Sequence, residues 1–243
     1  MSANNPTILA SDIITDVEVR LGSPNISGTD YLPWISYAYQ KLFASLYKAG
    51  QKVREQLFGN YLAVTLTNGT AEYTLSSILP RFISPIKFEI LFGGTGDSRV
   101  RLNPAGSIYK WDNQANVSTS YRPKQSPIYY ILQDKLGIIP TPPSSDSANA
   151  ILYAWFVRGP YQITDTADSI DIPYRFIYPI VNYVQAKAIQ KQHEDYSEAS
   201  LVEQTFEREL EQIAITASDE NNENDGQGIE HADSALSENP FRW

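Results

Sequence analysis

Read for the spacing of its apolar positions, the chain changes period twice. From Ile172 to about Ser218 the apolar residues recur at helical spacing: Phe176, Ile177, Ile180, Val181, Val184 and Ala188, then, after a polar middle, Leu201, Val202, Phe206, Leu210 and Ile213. This predicts one amphipathic helix about 65 to 70 Å long at 1.5 Å per residue, or two antiparallel helices with Gln190 to Ser200 as the loop between them. Asp171 is an N-cap candidate, Pro173 suits a first turn, and Pro179 predicts a kink or a late start. Near the other end, Ser11 or Asp12 caps a short helix that carries Ile13, Ile14, Val17 and Leu21, and the glycine-bounded stretch from Gly22 to Gly28 stops it. A second helix is expected from Thr29 or Asp30 to about Phe58, with Pro33 in its first turn and Trp34, Ile35, Ala38, Leu42, Leu46 and Val53 on one side.

Between these helical ends the period falls to two. Tyr61 to Leu75 alternates around Asn68-Gly69, a strong hairpin signal because both residues tolerate positive φ. Further strands are expected at Ile83 to Phe92, Arg99 to Leu102, Ile128 to Gln133, Leu136 to Pro140 and Ala148 to Phe156, with a long polar loop from Asn103 to Gln125. Short strands without crossover helices predict an antiparallel sheet. The expected fold is α+β: helices from both ends packed as a bundle, an inserted antiparallel β-sandwich or small barrel, and a disordered acidic C-terminal tail. The corresponding division is residues 1–59, helical; 60–165, β-rich; 166–218, the long helix or helix pair; and 219–243, the tail.

Charge sharpens this picture. Of the 19 Lys and Arg and 28 Asp and Glu, Met1 to Lys191 holds 17 basic against 14 acidic residues, while His193 onward holds 2 against 14. An acidic C-terminal quarter repels polyanions, which argues against sequence-specific nucleic-acid binding there. The tail nevertheless ends on Pro240, Phe241, Arg242 and Trp243, residue types that anchor interfaces. No run of 18 apolar residues and no basic, apolar leader is present, so neither a membrane span nor a secretory signal is expected.

Candidate chemistry is sparse. With no cysteine and two histidines, the chain has neither thiolates nor a pair of histidines one turn apart. His193-Glu194-Asp195 are consecutive on a helix and diverge around it, so solvated surface is the simpler reading. Gly93 to Asp97 lacks the Lys-Ser/Thr and following helix of a phosphate loop, and Asp165, Asp168 and Asp171 read as loop-capping acids before they read as cation ligands. No catalytic residue, cofactor or metal site is assigned, and the chain is read as not an enzyme.

The order of parts carries a resemblance. The Tyr73-x-Leu75 strand, the pair spanning Ser126 to Pro143, the aromatic strand Ile151 to Thr164, and the run from Asp171-x-Pro173 through the apolar stripe to Asp195-x-x-x-Ala199 resemble the head-to-tail adaptor (connector) proteins of tailed bacteriophages over residues 8–215. The resemblance implies a virion protein made in the host cytoplasm. It implies a ring, usually of twelve copies, beneath the portal protein, bound to the next neck, tail or nozzle protein and open to passing double-stranded DNA. It further implies that Phe176, Ile180, Val184, Leu201, Phe206, Leu210 and Ile213 pack between subunits, and that Pro240, Phe241, Arg242 and Trp243 dock into the portal. The acids of residues 194–220 would suit a lumen along which DNA slides. The rival readings are a tail-tube or nozzle component beside such an adaptor, from another class a cell-wall glycan hydrolase working through two carboxylates, and third a plain monomeric binding module.

Overall fold

The computed structural model describes residues 8–22, 26–105, 124–193 and 199–229. It divides the chain into two compact units, Met1–Phe58 with Pro160–Trp243, and Gly59–Gly159. The mixed α+β class read from the pattern is what forms.

In the first unit, β1 (Ile8–Leu9) pairs antiparallel with β9 (Ser169–Ile170) and leads into α1 (Ala10–Leu21). Asp12 accepts the Leu9 N–H at 2.8 Å, which satisfies a donor the helix start leaves open. Gly22 ends the helix in the left-handed region at φ 69°, where a glycine costs least. The expected second helix is two: α2 (Gly28–Lys48) and α3 (Gln51–Phe58). Gly50 at φ 145° lies between them, a backbone no side-chain-bearing residue holds comfortably. Pro33 sits inside α2 rather than at its start.

A short 3-10 turn (Tyr174–Phe176) precedes α5 (Tyr178–His193), which begins just before Pro179, the late start that proline favours. α6 (Ala199–Ile229) follows as a separate helix, so the chain does not continue as one rod. Tyr183 meets Phe206 and Glu203, Lys187 meets Glu203 and Asn182 meets Glu209, a falling number on α5 against a rising one on α6, so the pair is antiparallel. α2 packs on both, and α1 packs on α5. Tyr31, Ile35, Tyr39, Leu42 and Leu46 of α2 and Ile180 and Val184 of α5 are buried at the centre of this unit. The helix of α6 extends to Ile229, past the Ser218 limit expected from composition.

The second unit is one curled seven-stranded sheet, order β2 (Gly59–Thr65), β8 (Ile151–Arg158), β4 (Phe82–Leu91), β5 (Val100–Pro104), β6 (Ile128–Leu132), β7 (Lys135–Ile139), β3 (Glu72–Thr74), with the one-turn helix α4 (Leu75–Ile78) after β3. It is not a two-sheet sandwich. Every pairing is antiparallel except β5 with β6, which is parallel. The segment between β5 and β6 is long enough to return the chain to the same end of the sheet, which is what a parallel neighbour requires. Leu66, Phe88, Ile90, Leu136, Leu152 and Phe156 fill the hollow of the curl.

The expected hairpin is the clearest departure. Asn68-Gly69 does turn, with Gly69 at φ 79°, but β2 pairs with β8 and β3 with β7, at opposite edges of the sheet. Asn68 holds the turn by donating to the Ala148 carbonyl at 2.7 Å and accepting the Ala150 N–H at 3.0 Å. Gly69 N–H donates to the Pro142 carbonyl. The signal reports a tight turn; what pairs across it was decided by β7 and β8. At the rim, a Cβ on Gly93 would overlap the Ala148 carbonyl, so only glycine allows that approach.

Candidate functional site

The facing surfaces of α5 and α6 form the most developed site on the helical unit. An open cleft of about 180 Å³ is lined by Asn182, Tyr183 and Ala186 from α5 and by Leu201, Val202, Thr205, Phe206 and Glu209 from α6. Its floor is aromatic: the Tyr183 and Phe206 rings lie 4.6 Å apart, and Tyr37 of α2 stacks on Tyr183 at 5.5 Å. Its mouth carries Leu201, 55% exposed. At one end Arg20 reaches Asn182 and lies 5.9 Å from the centre of the Tyr178 ring, so an exposed tyrosine borders the cleft.

A polar clamp fixes the two helices beneath that opening. Glu203 accepts from the Tyr183 hydroxyl at 2.8 Å and pairs with Lys187 at 2.9 Å through one oxygen, and accepts from Tyr37 at 3.4 Å through the other. Ser45 of α2 donates to the Leu210 carbonyl, and Lys191 pairs with Asp30 at 2.7 Å. Burial pushes the Glu203 carboxyl up, but its partners Lys187, Tyr183 and Tyr37 pull harder, so its pKa lies below the usual 4.5. Burial, aided by the bond to Glu203, pushes the Tyr183 hydroxyl well up and keeps it a donor.

A carboxyl with a depressed folded pKa contributes stability that is complete above its unfolded value and is lost as pH falls through the folded one. Glu203→Gln is therefore expected to lower the urea midpoint at about pH 7 and to show a smaller deficit at about pH 3. Urea melts of both proteins at the two pH values check it. An equal deficit at both would assign the loss to shape rather than charge.

The residues expected between subunits divide sharply. Phe176, Ile180, Val184, Phe206 and Leu210 are each 5% exposed or less within a single chain, while Ile213 is half-buried and Leu201 stands out. Pairing α5 with α6 and laying both on α2 covers most of the stripe. Pro240, Phe241, Arg242 and Trp243 lie outside the described residues, as do residues 106–123 of the polar loop and Glu194 and Asp195. Tyr37, Asn182 and Glu203 complete the site without belonging to any motif in the sequence. Their signal was a set of polar side chains bordering an apolar stripe, which spacing alone cannot tell from solvent-facing ones.

The weaker chemical candidates resolve into structure. Asp97 accepts the Gly94 N–H at 2.9 Å and pairs with Lys124, which also holds Asp146, so the glycine loop is tied by its own acid. Asp168 accepts the N–H groups of Thr164 and Asp165 and folds that loop. Among the described residues no group of three or more His, Cys, Asp and Glu converges to hold a metal, and no helix is long and apolar enough to cross a membrane.

The sequence model of the SU10 adaptor protein family matches residues 8–228, both units from β1 into the last turn of α6. The chain belongs to that family. The match agrees with the head-to-tail adaptor resemblance and makes this adaptor a structural bacteriophage protein, a virion component that works by contact with other head or tail proteins. Such a family points to a role without catalysis. No curated protein matches the adaptor significantly.

Proposed function

We propose that the adaptor assembles as a ring, twelve copies by its resemblance, beneath a portal protein, joins that portal to the next neck or tail protein, and leaves a channel for DNA. The helices of its two chain ends form the bundle that builds the ring wall. The observation that carries this reading is the apolar cleft between α5 and α6 with Leu201 exposed at its mouth, in a chain of an adaptor family. An apolar side chain of a neighbouring copy fills the cleft and covers Leu201. Burying one leucine contributes about 1.5 to 3 kcal/mol, and the ring repeats it at every joint.

Those acids of residues 194–220 that neither the subunit's own contacts nor its joints engage keep the channel from gripping DNA, since a basic lining would gain counterion-release affinity at each step. Pro240 to Trp243 dock in the portal on a solvated tether, each copy adding avidity to the rest. The segment from Asn103 to Gln125 faces the next tail component.

Deleting Phe241 to Trp243 is expected to weaken portal binding at least about tenfold, the loss of one aromatic anchor, while thermal unfolding stays unchanged. Binding measured by biolayer interferometry on immobilised portal checks this. Unaltered affinity would remove the docking role from the tail tip and leave the ring to be tested separately.

A further inference from the structure

The outward face of the sheet unit carries a preassembled patch of rings and cations. In register, Tyr61 of β2, Trp155 of β8 and Lys87 of β4 stand side by side; one step along, Tyr153 lies beside Glu89, and Glu89 opposite Arg101 of β5. On β8 these positions alternate with the buried Leu152, Ala154 and Phe156, so they face away from the core. The Tyr61 and Trp155 rings are 4.9 Å apart. The Arg99 guanidinium lies 4.1 Å from the Tyr153 centroid and 4.9 Å from that of Trp155, and Lys87 Nζ lies 5.0 Å from Trp155. Glu89 pairs with both cations and holds them in place. Lys87 and Arg99 nevertheless stay 41% and 40% exposed, and Tyr61 47%. Aromatic rings with ordered cations are the composition of an interface anchor, and their order is entropy already lost before a partner arrives.

α6 offers the opposite chemistry. Glu207, Glu211 and Ile215 follow one another by single turns along a stripe about 12 Å long, on a different side of the helix from the buried Phe206 and Leu210. Glu211 is exposed and Ile215 is 62% exposed; Glu207, 3.7 Å from Lys41, keeps 59% of its side chain in solvent. The four adjacent strands β2, β8, β4 and β5 span about 14 Å, so the stripe and the patch are comparable in length. The charge of the whole chain is split the same way. Residues 59–159 hold 9 Lys and Arg against 6 Asp and Glu, and the remainder holds 10 against 22.

We propose that the ring-and-cation face of one copy receives the Glu207, Glu211 and Ile215 stripe of a second copy. The two carboxylates meet Lys87, Arg99 and Arg101, and Ile215 lies on the Tyr61 and Trp155 rings. Two different surfaces meet, so the contact passes from copy to copy and is satisfied throughout only when the assembly closes. This rests on the ring reading and adds the two faces that join.

The test is sedimentation velocity of the full chain, alone and with portal, in a buffer where wild type assembles. Glu207→Lys with Glu211→Lys is expected to weaken self-association at least about tenfold, and so is Lys87→Glu with Arg99→Glu. An equimolar mixture of the two double variants regains assembly, since each supplies the sign the other lacks. Because Lys87 and Arg99 also hold Glu89, circular dichroism and an unfolding midpoint accompany each variant, and Ile215→Ser supplies an arm that leaves the sheet intact. Wild-type assembly by the folded helix variant, or a mixture that stays dispersed, overturns the contact and leaves the ring standing. So does a sheet variant that assembles but no longer binds portal, which would give the face to the portal instead. A wild type that remains monomeric with and without portal overturns both.

Discussion

Replacing Phe206 by alanine is expected to cost about 3 to 5 kcal/mol of folding free energy, the range for emptying a buried phenylalanine site. Phe206 is 3% exposed, and on α6 the buried apolar side chains among the described residues are Phe206, Leu210 and Ala217. Along the described side chains the helix has few anchors with which to refill the gap. The loss also reaches the clamp, because the Phe206 ring backs Tyr183, whose hydroxyl donates to Glu203. At roughly 2 to 4 °C per kcal/mol for a chain of this size, the melting temperature falls by about 10 °C. Differential scanning calorimetry reads it directly. A shift within about 2 °C would mean that α6 is not seated on α5 as described.

Leu201→Asp should do the reverse. At 55% exposed, Leu201 contributes little to its own chain, and a surface substitution of this kind changes stability by about 0.5 kcal/mol or less. At the proposed joint it places a carboxylate where an apolar surface is covered, and an unpaired buried charge is not tolerated. The adaptor is expected to fold with an unchanged melting temperature and to lose assembly on the portal, scored by size-exclusion chromatography with light scattering. Together the two substitutions separate what holds the subunit from what joins subunits. Full assembly of the Leu201→Asp protein would remove the cleft from the interface.

The helices and most of the strands are readable from spacing because burial dictates it. Ile180 and Val184 or Phe206 and Leu210 recur at helical intervals since one side of each helix is covered, and Leu152, Ala154 and Phe156 alternate since one side of β8 is. What spacing does not carry is which covered sides meet. The stripe after Ile172 reads equally well as one rod, and the separation of α5 from α6 shows as a polar interval that both alternatives accept. That choice matters for function: in a rod the whole stripe would await a neighbour, whereas in the folded pair Phe176, Ile180, Val184, Phe206 and Leu210 are already covered and Leu201 is left.

Asn68-Gly69 shows the same limit in the sheet. Local chemistry specifies a turn, but pairing is a property of residues more than 60 positions away, Pro142, Ala148 and Ala150 among them. The cation and aromatic patch is likewise invisible along the chain, because Tyr61, Lys87, Arg99 and Trp155 come from four separate stretches that only strand register brings together. The adaptor resemblance was legible for the opposite reason. It lies in the order of elements along the chain, and the match over residues 8–228 depends on that same order.

Whether copies of this chain join around a passage is decided by electron cryomicroscopy of the adaptor bound to its portal. A closed ring of identical subunits is expected at the portal's end, open along its axis, with Leu201 of each copy covered by the next. A single copy bound off-axis, or a ring in which every Leu201 faces solvent, would contradict it.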